Sequence, residues 1–117
     1  WRADSGMLAA LHAIAALGMT ELKLSELLAP YSRYVASGEI NSKVKDGAAI
    51  MSSLKARFQD QPGVSIDELD GLTVDGDTWW FNLRASNTEP LLRLNVEAKS
   101  EAQMVNLRDE LLALIRA

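Results

Sequence analysis

Two runs of alternating residues, 79–84 and 91–98, do most to limit what this chain can fold into. Successive side chains of a β-strand point to opposite faces of the sheet, so a period of two separates an apolar face from a polar one. One face carries Trp79, Phe81, Leu83, Leu92, Leu94, Val96 and Ala98, and the other carries Trp80, Asn82, Arg84, Leu91, Arg93, Asn95 and Glu97. The pattern predicts two neighbouring strands whose apolar face must be covered by other elements.

Two amphipathic helices are predicted to provide that cover. Asp46 can cap a helix of about 47–58, and Ser100 with Gln103 forms a capping box that opens a final helix. Apolar residues recur at helical spacing in both segments. The inward positions are Ile50, Met51, Leu54 and Phe58 in the first helix, and Met104, Leu107, Leu111, Leu112 and Ile115 in the second.

The segments between residues 31 and 78 predict the remaining strands. Residues 31–44 are β-branched and aromatic at their start, with Gly38 as a bend. Short strands are expected near 64–67 and 72–74, and the Asp-Gly pair at 75–76 is expected to supply the positive φ of a tight hairpin. From residue 31 onward the predicted order is β-α-β-β-β-α. This is an α+β fold, an antiparallel sheet with both helices on one face.

The N-terminal segment predicts a helical hairpin with no sheet of its own. Asp4 or Ser5 can cap a helix over 5–17 that ends at Gly18, and a second helix over about 24–29 is stopped by Pro30. The wide apolar side of the first helix contains Met7, Leu8, Leu11, Ile14 and Leu17. Burying one such side chain is worth about 1.5–3 kcal/mol, so we expect the hairpin either to fold back on the domain or to pair with another copy.

Charge and cysteine content argue against several classes of function. The net charge of −4 argues against a nucleic-acid partner, which needs clustered positive charge. With no cysteine, a disulfide framework and a thiolate metal site are impossible. The first apolar run is too short to span a bilayer and lacks the basic region of a targeting signal. We expect a cytoplasmic protein with no membrane partner, and a chain starting at Trp1 is expected to be part of a longer one.

The loop between the two alternating runs is suited to holding a phosphate. Arg84 ends one predicted strand and Arg93 lies near the start of the next, so both should occupy the polar face at the same end of the sheet. A guanidinium is a planar fork that matches phosphate oxygens. Ser86, Asn87 and Thr88 add hydroxyl and amide groups between them. No nucleophile-and-base pair is present in the loop, so binding rather than chemistry is predicted.

A plain hairpin loop is the alternative, because Ser, Asn, Thr and Pro are all turn formers. Glu89 fits the phosphate interpretation poorly, since a carboxylate repels a phosphate. Its expected role is to accept loop N–H groups or to orient Arg93.

Four segments resemble the phosphohexomutases, the superfamily of phosphomannomutase, phosphoglucomutase and phosphoglucosamine mutase. RASNTEP at 84–90 resembles the phosphate-binding loop of their C-terminal domain. The other segments are ADSGMLAALHAIAAL at 3–17, YVASGEINSKVKD at 34–46 and LLRLNVEA at 91–98. Asn87 favours the phosphomannomutase/phosphoglucomutase branch, because phosphoglucosamine mutases tend to carry Ser-Gly-Thr at that place.

The resemblance implies one part of a four-domain enzyme that moves a phosphoryl group between the 1- and 6-positions of a hexose. It implies a phosphoserine in the first domain, Mg²⁺ held by aspartates in the second and a sugar-reading loop in the third. The fourth domain, with a TATA-box-binding-protein-like fold, would hold the phosphate that is not transferred. Residues 1–30 would then be the last helices of the third domain and 31–117 the fourth domain. The implied phosphate-binding residues are Arg84, Ser86, Asn87 and Thr88, with Arg93 as support.

The catalytic motifs of that family are missing from this chain. It holds no recognisable phosphoserine loop, and Asp67, Asp70 and Asp75 are too scattered for an Asp-x-Asp-x-Asp metal motif. The chain alone is therefore expected to be inactive and to bind no metal. Its expected partners are a hexose phosphate (mannose or glucose 1- or 6-phosphate) and the missing N-terminal domains. The alternatives are a stand-alone module for another anionic metabolite and a protein-interaction domain.

Other conspicuous residues have simpler interpretations. His12 is expected to pack or to lie on the surface, and Trp80 to cover the sheet or meet a neighbouring domain rather than touch sugar. Glu39 and Asn41 could lie at the edge of a substrate-binding cleft, but the sequence does not single them out. Residues 30–33 are a candidate hinge between the two parts of the chain.

Overall fold

A computed structural model describes residues 5–117 and divides the chain into two compact units, one ending at Arg33 and the other spanning Tyr34–Ala117. The first unit contains helix α1 (Gly6–Gly18) and helix α2 (Leu24–Leu28). Ser5 caps α1 by accepting a hydrogen bond from the Leu8 amide at 3.3 Å. The alternative cap, Asp4, lies outside the described residues.

The end of the first unit differs slightly from the prediction. Helix α2 ends at Leu28, within one residue of the predicted end, and Pro30 lies inside a single 3₁₀ turn, Ala29–Tyr31, that follows it. The extended segment therefore starts at Val35 rather than residue 31. Neither described helix of this unit contains a buried residue, and His12 is exposed.

The second unit contains one antiparallel sheet and two helices. The strands are β1 (Val35–Ala36), β2 (Ile40–Lys43), β3 (Ser65–Asp67), β4 (Leu72–Asp75), β5 (Trp79–Ala85) and β6 (Leu91–Ala98). Helix α3 is Gly47–Phe58 and helix α4 is Glu101–Ile115. The strand order is β1-β6-β5-β4-β3, with β2 also paired to β6. Gly38 has a φ of +68° between β1 and β2, which confirms the predicted bend.

The α+β class and the antiparallel sheet are confirmed, but the predicted order is one strand short. Four strands, not the three of that order, separate α3 from α4, and the strand expected near 64–67 is present as β3, which pairs with β4 at the sheet edge. The first predicted strand is also divided at Gly38 into β1 and β2.

Both helices pack on the apolar face that alternation predicted. Phe58 of α3 meets Phe81 edge-on with ring centroids 5.3 Å apart and lies 5.7 Å from Trp79. The buried core is Leu54, Phe58, Leu72, Val74, Phe81, Leu83, Leu92, Leu94, Val96, Ala98, Met104, Leu111 and Ile115. Ile50, Met51, Leu107 and Leu112 are partly buried against it.

The helix caps of this unit lie where the sequence predicted them, but the structure corrects the capping box at Ser100 and the role of Gly76. Asp46 and Ser100 cap their helices by accepting from the amides three residues on. The side chain of Gln103 does not complete the capping box, because it donates to the Thr78 hydroxyl at 2.7 Å. Gly76 does not take the expected positive φ. It is required for space instead, since a Cβ there would lie 2.6 Å from the Trp79 indole.

Within residues 5–117, no helix is both long enough and apolar enough to cross a membrane.

Candidate functional site

The two arginines face each other directly across neighbouring strands. Arg84 of β5 and Arg93 of β6 are register partners, and both belong to the sheet face opposite the core helices. Their side chains are 37% and 33% exposed. The alternation of the two strands thus places two guanidinium groups side by side at the end of the sheet where the 86–90 loop leaves it.

Carboxylates lie on both sides of this arginine pair. Glu39, in the bend between β1 and β2, accepts from Arg84 Nη2 at 3.3 Å through Oε2, and its Oε1 lies 3.8 Å from Arg93 Nε. Asp70 Oδ2 lies 3.6 Å from Arg84 Nη1 on the other side. The two positive charges are therefore partly neutralised, and Glu39 contacts both of them.

The hydroxyl of Ser86 makes three polar contacts within this cluster. It accepts from Arg93 Nη2 and from the Thr88 amide, each at 3.4 Å, and lies 3.5 Å from the Thr88 hydroxyl. The loop is closed by two backbone bonds, from the Ser86 amide to the Leu91 carbonyl and from the Leu91 amide to the Glu89 carbonyl. A single network thus joins Arg93 to the loop hydroxyls.

The structure brings together most of the residues that the sequence singled out. Arg84, Ser86, Thr88 and Arg93 form one cluster with Glu39. Asn87 belongs to the same loop and is exposed, and its amide makes no hydrogen bond to any other residue of the described chain. Its free donor and acceptor groups face solvent near the cluster.

Glu39 takes the position that sequence reasoning gave to Glu89. The contribution of Glu89 to the loop is its backbone carbonyl, whereas the carboxylate beside Arg93 is that of Glu39. Only the pairing of strands in the structure shows this link, since Asn41 of β2 is the register partner of Arg93 and Glu39 lies two residues before it. Residues two apart on an extended segment share a face.

A glycine allows the turn before β4 to pass close to Arg84. Gly71 has a φ of +76°, and a Cβ there would lie 2.5 Å from the Leu83 carbonyl oxygen and 2.7 Å from the Cβ of Arg84. Asn82 holds the same turn by donating to the Asp70 carbonyl at 2.8 Å and to the Thr73 hydroxyl at 3.0 Å. The turn therefore keeps Asp70 next to Arg84.

Trp80 lies on the same polar face, half-buried, and its Nε1 donates to Glu97 Oε2 at 3.2 Å. Among residues 5–117 there is no cluster of three or more histidine, aspartate or glutamate side chains that could hold a metal ion. The described cluster contains two guanidiniums, two hydroxyls and an amide, with the carboxylates of Glu39 and Asp70 beside the arginines.

The family model described as "Phosphoglucomutase/phosphomannomutase, C-terminal domain" matches residues 39–114. The chain belongs to the phosphoglucomutase/phosphomannomutase family, as the resemblance of its loop indicated.

Individual relatives agree with this assignment. The chain is 44% identical over 112 residues to a phosphomannomutase of Methanocaldococcus jannaschii, covering 96% of this chain and 24% of that protein. It is 40% identical over 109 residues to phosphohexose mutases of Xanthomonas campestris pv. campestris, covering 92% of this chain and 24% of the relative. This chain spans about a quarter of the length of these relatives.

A solved structure shares the fold. A phosphoglucomutase/phosphomannomutase family protein from Burkholderia thailandensis superposes with a TM-score of 0.69 at 25% identity, covering 99% of this chain and 24% of that one.

Proposed function

We propose that this chain is the substrate-phosphate-binding domain of a phosphomannomutase/phosphoglucomutase-type enzyme. The longer protein would interconvert hexose 1-phosphate and hexose 6-phosphate by phosphoryl transfer, and this domain would hold the phosphate that is not being transferred. The residues assigned to that phosphate are Arg84, Ser86, Asn87, Thr88 and Arg93.

The observation that carries the proposal is the arginine pair beside the loop hydroxyls. Arg84 and Arg93 are direct cross-strand partners, and Arg93 donates to Ser86 at 3.4 Å. A planar guanidinium can donate two parallel N–H groups to phosphate oxygens, and charge-assisted bonds of this kind are roughly twice as strong as neutral ones. Hydroxyl and amide donors from the loop can satisfy the remaining oxygens.

Holding a phosphate remote from the reaction assists catalysis by orientation. Binding energy from a non-reacting part of the substrate fixes the reacting part in position, which lowers the entropic share of the barrier. The family resemblance also implies a hexose bisphosphate intermediate that turns end over end between two half-reactions, so one site would accept either phosphate. A cluster that contacts phosphate and not sugar suits that requirement.

The rest of the chemistry belongs to the longer protein. Mg²⁺, when bound there, would neutralise charge on the transferring phosphoryl group, and no residue of this chain is assigned to it. Domain boundaries near residue 30 and a cytoplasmic location are part of the same proposal. The change of compact unit after Arg33 supports the boundary.

Binding of inorganic phosphate to wild type, Arg84→Ala and Arg57→Ala tests the proposal. Arg57 is a matched control, since it is an arginine paired with a carboxylate, Glu110, on the helical side of the domain. We expect wild type and Arg57→Ala to bind with a dissociation constant on the order of 1 mM, equivalent to about −4 kcal/mol. Arg84→Ala should bind at least tenfold more weakly, on the order of 10 mM. Equal affinity in all three proteins would contradict the proposal.

Selectivity distinguishes this function from that of a module for another anionic metabolite. Mannose 1-phosphate and glucose 1-phosphate should bind about as tightly as each other, because the cluster is assigned to phosphate alone. An anion that binds far more tightly than both sugar phosphates would favour the other function.

A further inference from the structure

Two like charges placed directly opposite each other on neighbouring strands destabilise a sheet unless something offsets them. Arg84 and Arg93 are such a pair. A phosphate would offset their repulsion when bound. In the protein alone another group must do so, and it must also keep both guanidinium groups near the loop.

Glu39 can both offset the repulsion between the two arginines and keep their guanidinium groups near the loop. Its two carboxylate oxygens reach different arginines, with Oε2 at 3.3 Å from Arg84 Nη2 and Oε1 at 3.8 Å from Arg93 Nε. The Nε atom of Arg93 is shielded from solvent and has no hydrogen-bond partner within the described part of the chain. A shift of less than 1 Å would bring this donor and Glu39 Oε1 to ordinary hydrogen-bond distance.

The backbone around Glu39 is fixed rather than free. The preceding residue, Gly38, has a φ of +68°, and β1 and β2 on either side of the bend both pair with β6. Ser37 adds two bonds to Val96, one through its amide at 2.8 Å and one through its hydroxyl at 3.0 Å. The bend therefore presents the Glu39 side chain to the arginine pair from a rigid support.

We propose that Glu39 is a positioning residue of the phosphate site, which holds both guanidinium groups in the orientation that a phosphate requires. The inference rests on the proposed function of the loop. Through Arg93 and Ser86 the carboxylate is connected to the Thr88 hydroxyl, so one side chain orders most of the cluster.

The charge of Glu39 and its position have opposite expected effects on phosphate affinity. A negative group near a bound phosphate repels it, so removing the charge of Glu39 would strengthen binding if repulsion were its main effect. If Glu39 acts by position, the same change weakens binding, because the free arginines must be ordered by the ligand itself. The sign of the change therefore decides between the two roles.

Asp70 provides the matched comparison. It is also a carboxylate beside Arg84, at 3.6 Å, but its only ion pair in the described chain is with Arg84 and its side chain is 78% exposed. Asp70→Asn removes one negative charge near the site without releasing Arg93. Its effect on phosphate affinity measures the charge contribution.

The test is an affinity series with inorganic phosphate on wild type, Glu39→Gln, Glu39→Asp and Asp70→Asn. We expect Glu39→Gln and Glu39→Asp to weaken binding about tenfold, or about 1.4 kcal/mol. The aspartate keeps the charge but is one methylene too short to span both arginines. We expect Asp70→Asn to bind as tightly as wild type or more tightly.

NMR of the arginine side chains tests directly whether Glu39 holds Arg93 in position. In wild type the Nε–H signal of Arg93 should exchange slowly with water, because that atom is buried beside Glu39. Exchange should speed up in both Glu39 variants and stay slow in Asp70→Asn. Backbone amide spectra would show that all four proteins keep the same fold.

Binding by Glu39→Gln as tight as wild type or tighter, alongside at least about tenfold weaker binding by Arg84→Ala, would overturn the role of Glu39 and leave the proposed function intact. Absence of phosphate binding by wild type would refute the proposed function and this role together.

Discussion

Replacing Gly71 with alanine tests how the sheet holds Arg84 in place. Gly71 has a φ of +76°, a left-handed conformation that alanine adopts at a cost. An added Cβ would also lie 2.5 Å from the Leu83 carbonyl oxygen and 2.7 Å from the Cβ of Arg84. Neither atom is the end of a flexible side chain, so relief of the clash requires movement of the β5 backbone.

A second glycine separates the cost of the left-handed conformation from the cost of the steric clash. Gly63 has almost the same φ, +77°, and no atom lies within 4 Å of a Cβ built there. The left-handed conformation alone costs about 1–2 kcal/mol, which is the loss we expect for Gly63→Ala. Overpacking adds about 1–3 kcal/mol, so Gly71→Ala should lose about 2–5 kcal/mol.

Urea unfolding, followed by the fluorescence of the tryptophans in β5, measures both losses. The free energy of unfolding should fall further for Gly71→Ala than for Gly63→Ala by at least about 1 kcal/mol. Equal losses would refute the view that this turn is packed against the backbone at Arg84.

Two further predictions concern the stability of the same unit. Phe58→Ala removes a buried ring that packs on Phe81 and Trp79, and it should cost about 3–5 kcal/mol in urea unfolding; a loss below about 1 kcal/mol would mean that α3 does not cover the sheet. Asp46→Ala removes the side chain that accepts from the Ala49 amide at the start of α3, and it should cost about 1 kcal/mol, whereas Asp46→Asn should cost much less because asparagine is an equally good cap. Equal losses for both Asp46 variants would contradict the capping role.

The strands and the core were predictable because burial on one face imposes a period of two. Every apolar residue that alternation assigned to the inner face of β6 is buried, namely Leu92, Leu94, Val96 and Ala98. The strand expected near 64–67 is present as edge strand β3, although the predicted order counted one strand too few. Gly76 was predicted in the right turn for the wrong reason, because the nearby Trp79 ring depends on tertiary packing that no local pattern shows.

The site was predictable where its residues are neighbours in sequence and not where they meet across the sheet. Arg84, Ser86, Thr88 and Arg93 are all within ten residues, so strand geometry alone brings them together. Glu39 is far away along the chain and reaches the site because β2 pairs with β6. Glu89 was the nearer carboxylate in sequence, but the carboxylate that contacts the arginines is that of Glu39.

The most direct test of the phosphate site is an amide NMR titration of this chain with inorganic phosphate, mannose 1-phosphate and glucose 1-phosphate. We expect signals from residues 84–93 and from Glu39 to shift, in the same pattern for all three ligands. Arg84→Ala should need at least about tenfold more ligand to give the same shifts. Shifts centred outside this cluster, or no shifts at ligand concentrations well above 10 mM, would contradict the assignment of these residues to phosphate binding.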